Sequence, residues 1–157
     1  MPLIHLTNFI SAPVDRVFDL CRSIDFHKKS MSHRQETAVS GMTTGLAQLD
    51  DTVTWKAKHL FKFRILKVRF TEMNRPHSFT TEMQDGDFRS MKHEHYFKQV
   101  ENGTLLIDLL QYELPYSVFG ALIGSLYLNN YLKKLLEHRN GFIRLYSESD
   151  KWKFVLE

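Results

Sequence analysis

Two histidines separated by one residue form the most chemically suggestive pattern in this sequence. His93 and His95 lie in an alternating segment, and alternate side chains of a β-strand share one face of the sheet. Asp108 and Tyr112 recur with the same period in the next segment. If Asn102-Gly103 is a two-residue turn, the two segments form a hairpin that brings all four side chains to one face. The predicted cross-strand pairs are then His95 with Leu110, His93 with Tyr112, and Phe97 with Asp108.

The sequence leaves three interpretations of these four polar side chains open. In the first, they orient a mostly apolar ligand, as a few polar groups do in most small-molecule pockets. In the second, they satisfy one another as a buried hydrogen-bond network. In the third they are catalysts, in which the carboxylate tunes an imidazole for acid–base work; the catalytic residues would then be His93, His95 and Asp108.

A metal site is a weaker interpretation of the same residues. A His-x-His strand places two imidazoles on one face, and Asp108 would be a third ligand. The sequence contains no cysteine cluster and no Glu-x-x-His pattern to support it. We therefore expect no metal and no other cofactor.

The surrounding pattern predicts the elements that position these residues. Residues 3–10 alternate as a strand, residues 11–23 and 25–31 predict two short helices, and residues 33–113 return to period two. Turn residues divide that stretch into about six strands: Gly41 with Gly45, Asn74-Arg75-Pro76, Gln84-Asp85-Gly86 and Glu101-Asn102-Gly103. Apolar residues at helical spacing then predict one long helix over residues 117–147.

This order predicts an α+β fold, with a curved antiparallel sheet of about seven strands wrapped around the long C-terminal helix. We expect residues 1–157 to form a single domain with an apolar cavity between sheet and helix. The residues expected to contact a ligand there are Trp55, Phe63, Phe79, Met91, His93, His95, Phe97, Asp108, Leu110, Tyr112, Leu122 and Arg139.

Residues 11–20 resemble the opening motif of the SRPBCC superfamily, the helix-grip proteins that include START lipid-transfer domains, pollen allergens, polyketide cyclases and coenzyme Q-binding proteins. The remaining matches are Asp51-Thr52-Val53-Thr54-Trp55, Asp85-Gly86-Asp87-Phe88, His93-Glu94-His95-Tyr96-Phe97, Gly103-Thr104 and Arg139. Together they are similar to a bacterial polyketide cyclase/dehydrase-type branch. The resemblance spans residues 3–148 and implies a helix-grip fold with a cavity for a hydrophobic molecule.

Composition excludes several other classes. The 157 residues carry a net charge of +3, and the densest basic stretch, residues 56–69, alternates with apolar residues as one solvated strand face would. We therefore expect no nucleic-acid partner. Cys21 is the single cysteine, no apolar run is long enough for stable membrane insertion, and the N-terminus lacks a signal-peptide pattern. A cytoplasmic monomer or homodimer is expected.

The predicted function is binding, as a carrier or sensor, of a small hydrophobic molecule such as a lipid, a quinone or a polyketide-like compound. The first alternative is a cyclase or dehydratase that acts on such a molecule through His/Asp acid–base chemistry. The second is an interaction protein whose core is filled by its own side chains, which the twelve phenylalanines would allow. Of these, a binding protein is favoured over an enzyme.

Overall fold

The computed structural model describes residues 2–115 and the backbone of residues 118–157, with side chains from residue 126 onward in the second segment. Its seven strands form one antiparallel sheet in the order β1-β7-β6-β5-β4-β3-β2. They are β1 Leu3–Ile10, β2 Thr37–Gly41, β3 Thr52–His59, β4 Lys62–Asn74, β5 Ser78–Asp85, β6 Ser90–Val100 and β7 Gly103–Glu113. The six later strands are sequential neighbours, as the spacing of the turn residues predicts.

Across the described ranges, four α-helices and two single-turn 3-10 helices complete the fold. They are α1 Val14–Arg22, α2 Ile24–Ser30, α3 Val118–Glu148 and α4 Lys153–Leu156, with the 3-10 turns at Ser32–Arg34 and Asp150–Trp152. The α+β prediction, with two short helices after the first strand and one long helix after the sheet, is confirmed. No helix among the described residues is long and apolar enough to cross a bilayer.

Register shifts give the sheet its curvature. The pairing of β4 with β5 slips at Lys67/Val68 and again at Phe70/Glu72, and β2 slips at Ala38/Ser40. An extra residue in one strand bends that strand and increases its twist, so the middle of the sheet curls towards α3.

The core lies on the concave side of the sheet, in two apolar clusters. In the first, the rings of Phe79 and Phe97 meet the ring of Phe18 from α1 edge-on, with centroids 5.5 and 5.0 Å apart, and Ile143 of α3 is fully buried against the group. The second cluster contains the buried residues Ile4, Leu110, Tyr112, Leu114 and Leu136. Helix α3 contributes to both clusters, so it is fixed along much of its length.

The turn between β3 and β4 carries no residue that marks it as a turn in the sequence. His59 pairs with Lys62, and the two turn residues Leu60 and Phe61 both have positive φ, 53° and 71°. Two-residue turns with positive φ at both positions favour Asn-Gly, because a side chain there crowds the backbone. Leu60 and Phe61 therefore hold a conformation that costs free energy.

This turn corrects one predicted ligand contact. Trp55 of β3 pairs with Leu66, so Leu66, Val68 and Phe70 of β4 face the core. Phe63 lies on the opposite face, 48% exposed, with the ammonium of Lys56 5.2 Å from its ring centre. The prediction that Phe63 contacts a ligand inside the fold is wrong. The Leu60-Phe61 turn, which the sequence did not reveal, decides which residues of β4 face inward, and Phe63 is not one of them.

We expect Phe61→Gly to raise the free energy of unfolding by about 0.5–1 kcal/mol. The side chain of Phe61 is 98% exposed, so its removal loses almost no packing, and glycine accepts the positive φ without strain. Urea unfolding of the variant and of the wild-type protein measures the difference. A loss of stability of that size would show that the ring makes contacts that stabilise the fold.

Candidate functional site

A cavity of about 330 Å³ lies between the concave face of the sheet and α3. Strands β3 to β7 form one wall, α3 forms the other, and α1 and α2 close it with residues such as Cys21 and Ile24. Seven of the residues predicted to contact a ligand line this cavity: Trp55, Phe79, Met91, His93, His95, Leu110 and Arg139.

Three other predicted residues lie behind the cavity wall. Phe97 packs in the first core cluster, and Asp108 is fully buried beneath the two histidines. Tyr112 is also fully buried, and its hydroxyl donates to Oδ1 of Asn129 on α3 over 3.2 Å. These three residues shape the site from outside the cavity. The side chain of Leu122 lies outside the described residues.

The β6–β7 register differs from the prediction by two residues. Val100 pairs with Gly103, so the turn is Glu101-Asn102 and His95 faces Asp108 directly. Gly103 is needed in the strand instead of the turn: a Cβ there would lie 2.3 Å from the carbonyl oxygen of Ile10. A slip of two residues keeps every side chain on its predicted face, so the polar groups still converge.

Asp108 is the centre of the polar cluster. Nε2 of His93 lies 2.8 Å from its Oδ1, and Nδ2 of Asn140 donates to its Oδ2 over 2.7 Å. Nη1 of Arg139 reaches Oδ1 at 3.4 Å. Arg139 and Asn140 are adjacent on the inner face of α3, between the buried apolar residues Leu136 and Ile143. The carboxylate therefore joins two neighbouring strands to the long helix.

His95 is held mainly by ring stacking. Its ring lies between that of Phe79, with centroids 4.2 Å apart, and that of His93, at 3.7 Å. Nδ1 of His95 is 3.1 Å from Oδ1 of Asp108 but makes no hydrogen bond in that geometry. This nitrogen therefore lies beside the carboxylate, buried and without a formed hydrogen bond among the described residues.

Burial keeps both imidazoles neutral. Desolvation lowers the pKa of His93, although the adjacent carboxylate of Asp108 opposes the shift. Desolvation and neighbouring His93 place the pKa of His95 well below its ordinary value. For Asp108, burial alone would raise the pKa, but the hydrogen bond from His93 and the charge of Arg139 hold it well below its usual range. At neutral pH the cluster therefore contains one anion, one cation and two neutral imidazoles.

This arrangement can donate and accept hydrogen bonds at one end of an apolar cavity. A neutral imidazole can also take a proton from a substrate, and the pairing of His93 with Asp108 orients that imidazole. Cys21 is no nucleophile, because burial raises the pKa of its thiol to about 12.

A metal ion would need His93, His95 and Asp108, whose ligand atoms lie within 4.8 Å of one another. The guanidinium of Arg139 already supplies a positive charge at the same carboxylate oxygen, and Asn140 holds the other oxygen. A divalent cation would have to displace Arg139 against electrostatic repulsion, so the cluster fits a metal poorly.

A second set of polar side chains also lines the cavity. Nδ1 of His59 lies 2.7 Å from the hydroxyl of Tyr131 on α3, and Nε2 of His27 lies 3.2 Å from Oε2 of Glu36. All four residues line the cavity. Sequence reasoning missed them because they come from separate elements; the one available signal was His59, which alternates with Trp55 along β3.

We expect Asp108→Asn to lower the free energy of unfolding by about 3 kcal/mol, because it leaves the buried guanidinium of Arg139 without an anion. Asp50→Asn is the matched control. Asp50 pairs with Arg69 at the surface, with 63% of its side chain exposed, and its positive φ suits asparagine. The control should change stability by less than about 1 kcal/mol. Equal urea midpoints for the two variants would contradict a buried, charged Asp108.

The lowered pKa values of His93 and His95 predict acid-sensitive stability. As pH falls below about 6.5, the unfolded chain takes up protons that the folded chain does not, so stability is full above that pH and falls below it. Each histidine should contribute up to about 1 kcal/mol of loss between pH 7 and 5.5. Urea unfolding across this range measures the slope, which His95→Gln should reduce. A wild-type slope of opposite sign would overturn the neutral assignment.

The whole chain is similar in structure to several solved proteins. TTHA0849 from Thermus thermophilus is 18% identical, with a TM-score of 0.76 over 99% of this chain and 100% of that chain. Ginseng major latex-like protein 151 from Panax ginseng is 13% identical, with a TM-score of 0.67 over 94% of this chain and 98% of that chain. The di-domain ARO/CYC StfQ from the steffimycin biosynthetic pathway is 9% identical, with a TM-score of 0.76 over 93% of this chain and 50% of that chain.

No protein-family model matches the sequence, and no curated protein matches it. The structural similarity extends over nearly the whole of this chain, whose seven-stranded sheet, two short helices and long C-terminal helix are those of a helix grip. The chain therefore has a START/SRPBCC-like helix-grip fold.

Proposed function

We propose that this protein binds a small hydrophobic molecule in the cavity between the sheet and α3. The observation that carries the proposal is the cavity itself: about 330 Å³ of space, lined mainly by apolar side chains with a few polar groups among them. That volume lies within the range of small-molecule sites, and such sites combine an apolar wall with a few polar groups that fix orientation. Burial of apolar surface supplies most of the binding free energy.

The charges at the cavity end define the polar part of the ligand. The charges of Asp108 and Arg139 offset each other, and both imidazoles are neutral. The cluster therefore has no net charge, and its ligand needs none. His93, His95 and Arg139 line the cavity beside the carboxylate of Asp108. A carbonyl or hydroxyl group at the end of a lipid, quinone or polyketide-like molecule can form hydrogen bonds there without bringing a charge. The described side chains leave this space open, which argues against a filled core.

One observation favours catalysis as a second candidate. His93 is a neutral base on the cavity wall whose Nε2 is oriented by a buried carboxylate at 2.8 Å, the geometry of a general base with its orienting partner. One structural neighbour, StfQ, is an ARO/CYC. A cyclase or dehydratase reaction would use this pair to remove a proton from a bound polyketide-like substrate.

The two candidates separate at His93. If the protein only binds its ligand, neither the wild-type protein nor His93→Gln converts a polyketide-like substrate faster than buffer does. If it is an enzyme, the wild-type protein converts the substrate faster than buffer does, and the variant binds the substrate but loses that conversion. Product analysis by mass spectrometry, beside a binding titration, distinguishes the two outcomes.

Filling the cavity tests the binding proposal. Ala57 is buried on β3 and lines the cavity, so Ala57→Phe places a ring in the space of the ligand. We expect the variant to bind the neutral fluorescent probe N-phenyl-1-naphthylamine at least about tenfold more weakly than the wild-type protein, a change of about 1.4 kcal/mol.

Val39→Phe is the control for this experiment, because Val39 lies on β2 with half its surface exposed and does not line the cavity. Its affinity for the probe should match that of the wild-type protein. Equal weakening by both substitutions, or no probe binding by the wild-type protein, would contradict an internal site.

A further inference from the structure

The β3–β4 hairpin carries a concentrated positive charge. Between Val53 and Thr71 the sequence has six of the chain's 21 lysines and arginines and none of its 18 acidic residues. The rest of the chain has more acids than bases, so this hairpin accounts for the positive net charge. Lys58, Lys62 and Lys67 are exposed and have no acidic partner within 4 Å among the described residues.

The tip of the same hairpin presents apolar side chains to solvent. Phe61 is 98% exposed, and Phe63 and Ile65 on the outer face are 48% and 43% exposed. Leu60 and Phe61 also occupy the positive-φ positions where asparagine and glycine are favoured. A phenylalanine that strains its own turn and packs against nothing does not stabilise the fold. Such a residue indicates a contact outside the chain.

The hairpin tip also lies beside the mouth of the cavity. His59, Leu60 and Arg64 line the cavity, and Arg64 pairs over 2.9 Å with Asp87, whose side chain is 57% exposed. The cavity therefore reaches the surface next to the tip. His59 is joined to Tyr131 of α3, and the preceding turn of that helix carries two more exposed apolar residues, Leu126 at 76% and Tyr127 at 66%.

We propose that the β3–β4 hairpin docks this protein on an anionic membrane surface. Phe61 enters the interfacial layer of the bilayer, where aromatic rings are stabilised. Lys58, Lys62 and Lys67 contact the lipid phosphates, each contributing through the negative surface potential. The cavity mouth then faces the lipid, which gives an apolar ligand a route that avoids water. Docking is peripheral, since no helix among the described residues spans a bilayer.

Charge and shape favour a membrane over two other partners. A second copy of the chain would bring another basic hairpin to a symmetric contact, and the two would repel each other. Nucleic acid would satisfy the lysines, but the most exposed side chain of the hairpin is the ring of Phe61, which projects from the turn. A stacking platform for bases would instead present its rings across a groove.

Vesicle co-sedimentation tests the proposal. The wild-type protein should bind vesicles of phosphatidylcholine and phosphatidylglycerol mixed roughly three to one, and should bind vesicles of phosphatidylcholine alone far more weakly. Binding to the mixed vesicles should fall as salt is raised. Phe61→Gly should lower the partition coefficient about tenfold. Lys62→Gln should lower it about fivefold.

Matched controls are available on other surfaces. Phe154 is 79% exposed on α4, and Lys98 is exposed on β6, so Phe154→Gly and Lys98→Gln should leave vesicle binding unchanged. Because Phe61→Gly is expected to stabilise the fold, its loss of binding would not come from unfolding. Absence of vesicle binding by the wild-type protein, or equal binding by wild-type protein and Phe61→Gly, overturns the proposal. The proposal is also overturned if the protein binds single-stranded RNA but does not bind the vesicles.

Discussion

The buried carboxylate of Asp108 joins the two layers of the fold. It lies on β7, accepts hydrogen bonds from His93 of β6 and Asn140 of α3, and is paired with Arg139. A charge removed from water in this way is tolerated only when its partners are in place, so the position of α3 along the sheet is tied to this contact. The apolar clusters on either side add burial but little positional specificity, since apolar contacts are non-directional. The Asp108 cluster, together with the hydrogen bonds of Tyr112 with Asn129 and of His59 with Tyr131, therefore sets the register of the helix on the sheet.

The same cluster explains the character of the cavity. The guanidinium of Arg139 balances the carboxylate, and burial keeps the imidazoles of His93 and His95 uncharged. The polar end of the cavity is thus electrically balanced before any ligand arrives. It retains hydrogen-bonding capacity, because a neutral imidazole has one donor and one acceptor nitrogen. The ring of His95 is also fixed by stacking against Phe79. A rigid, neutral polar end suits an apolar molecule with one or two oxygen atoms better than it suits an ion.

The sequence predicted the architecture well, because strand alternation and turn residues are local signals. The convergence of His93, His95 and Asp108 also followed from alternation, and it survived a two-residue error in register since such an error preserves the face. Two kinds of feature were not predicted from the sequence. The Leu60-Phe61 turn contains none of the residues that usually mark a two-residue turn. The inward-facing residues of β4, and with them the position of Phe63, were therefore predicted wrongly. Contacts between distant elements, such as those of Asn140 with Asp108 and of His59 with Tyr131, leave no pattern in either segment.

The charge state of the Asp108 cluster is the central claim, and nitrogen NMR of the histidine side chains tests it most directly. Long-range ¹H–¹⁵N spectra at pH 7 should show His93 and His95 as neutral imidazoles, with His93 protonated at Nε2, the nitrogen that lies 2.8 Å from Asp108. These signals should be absent from the corresponding His93→Gln and His95→Gln spectra, which assigns them. Two fully protonated imidazolium rings at pH 7 would contradict the account, because the polar end of the cavity would then carry a net positive charge.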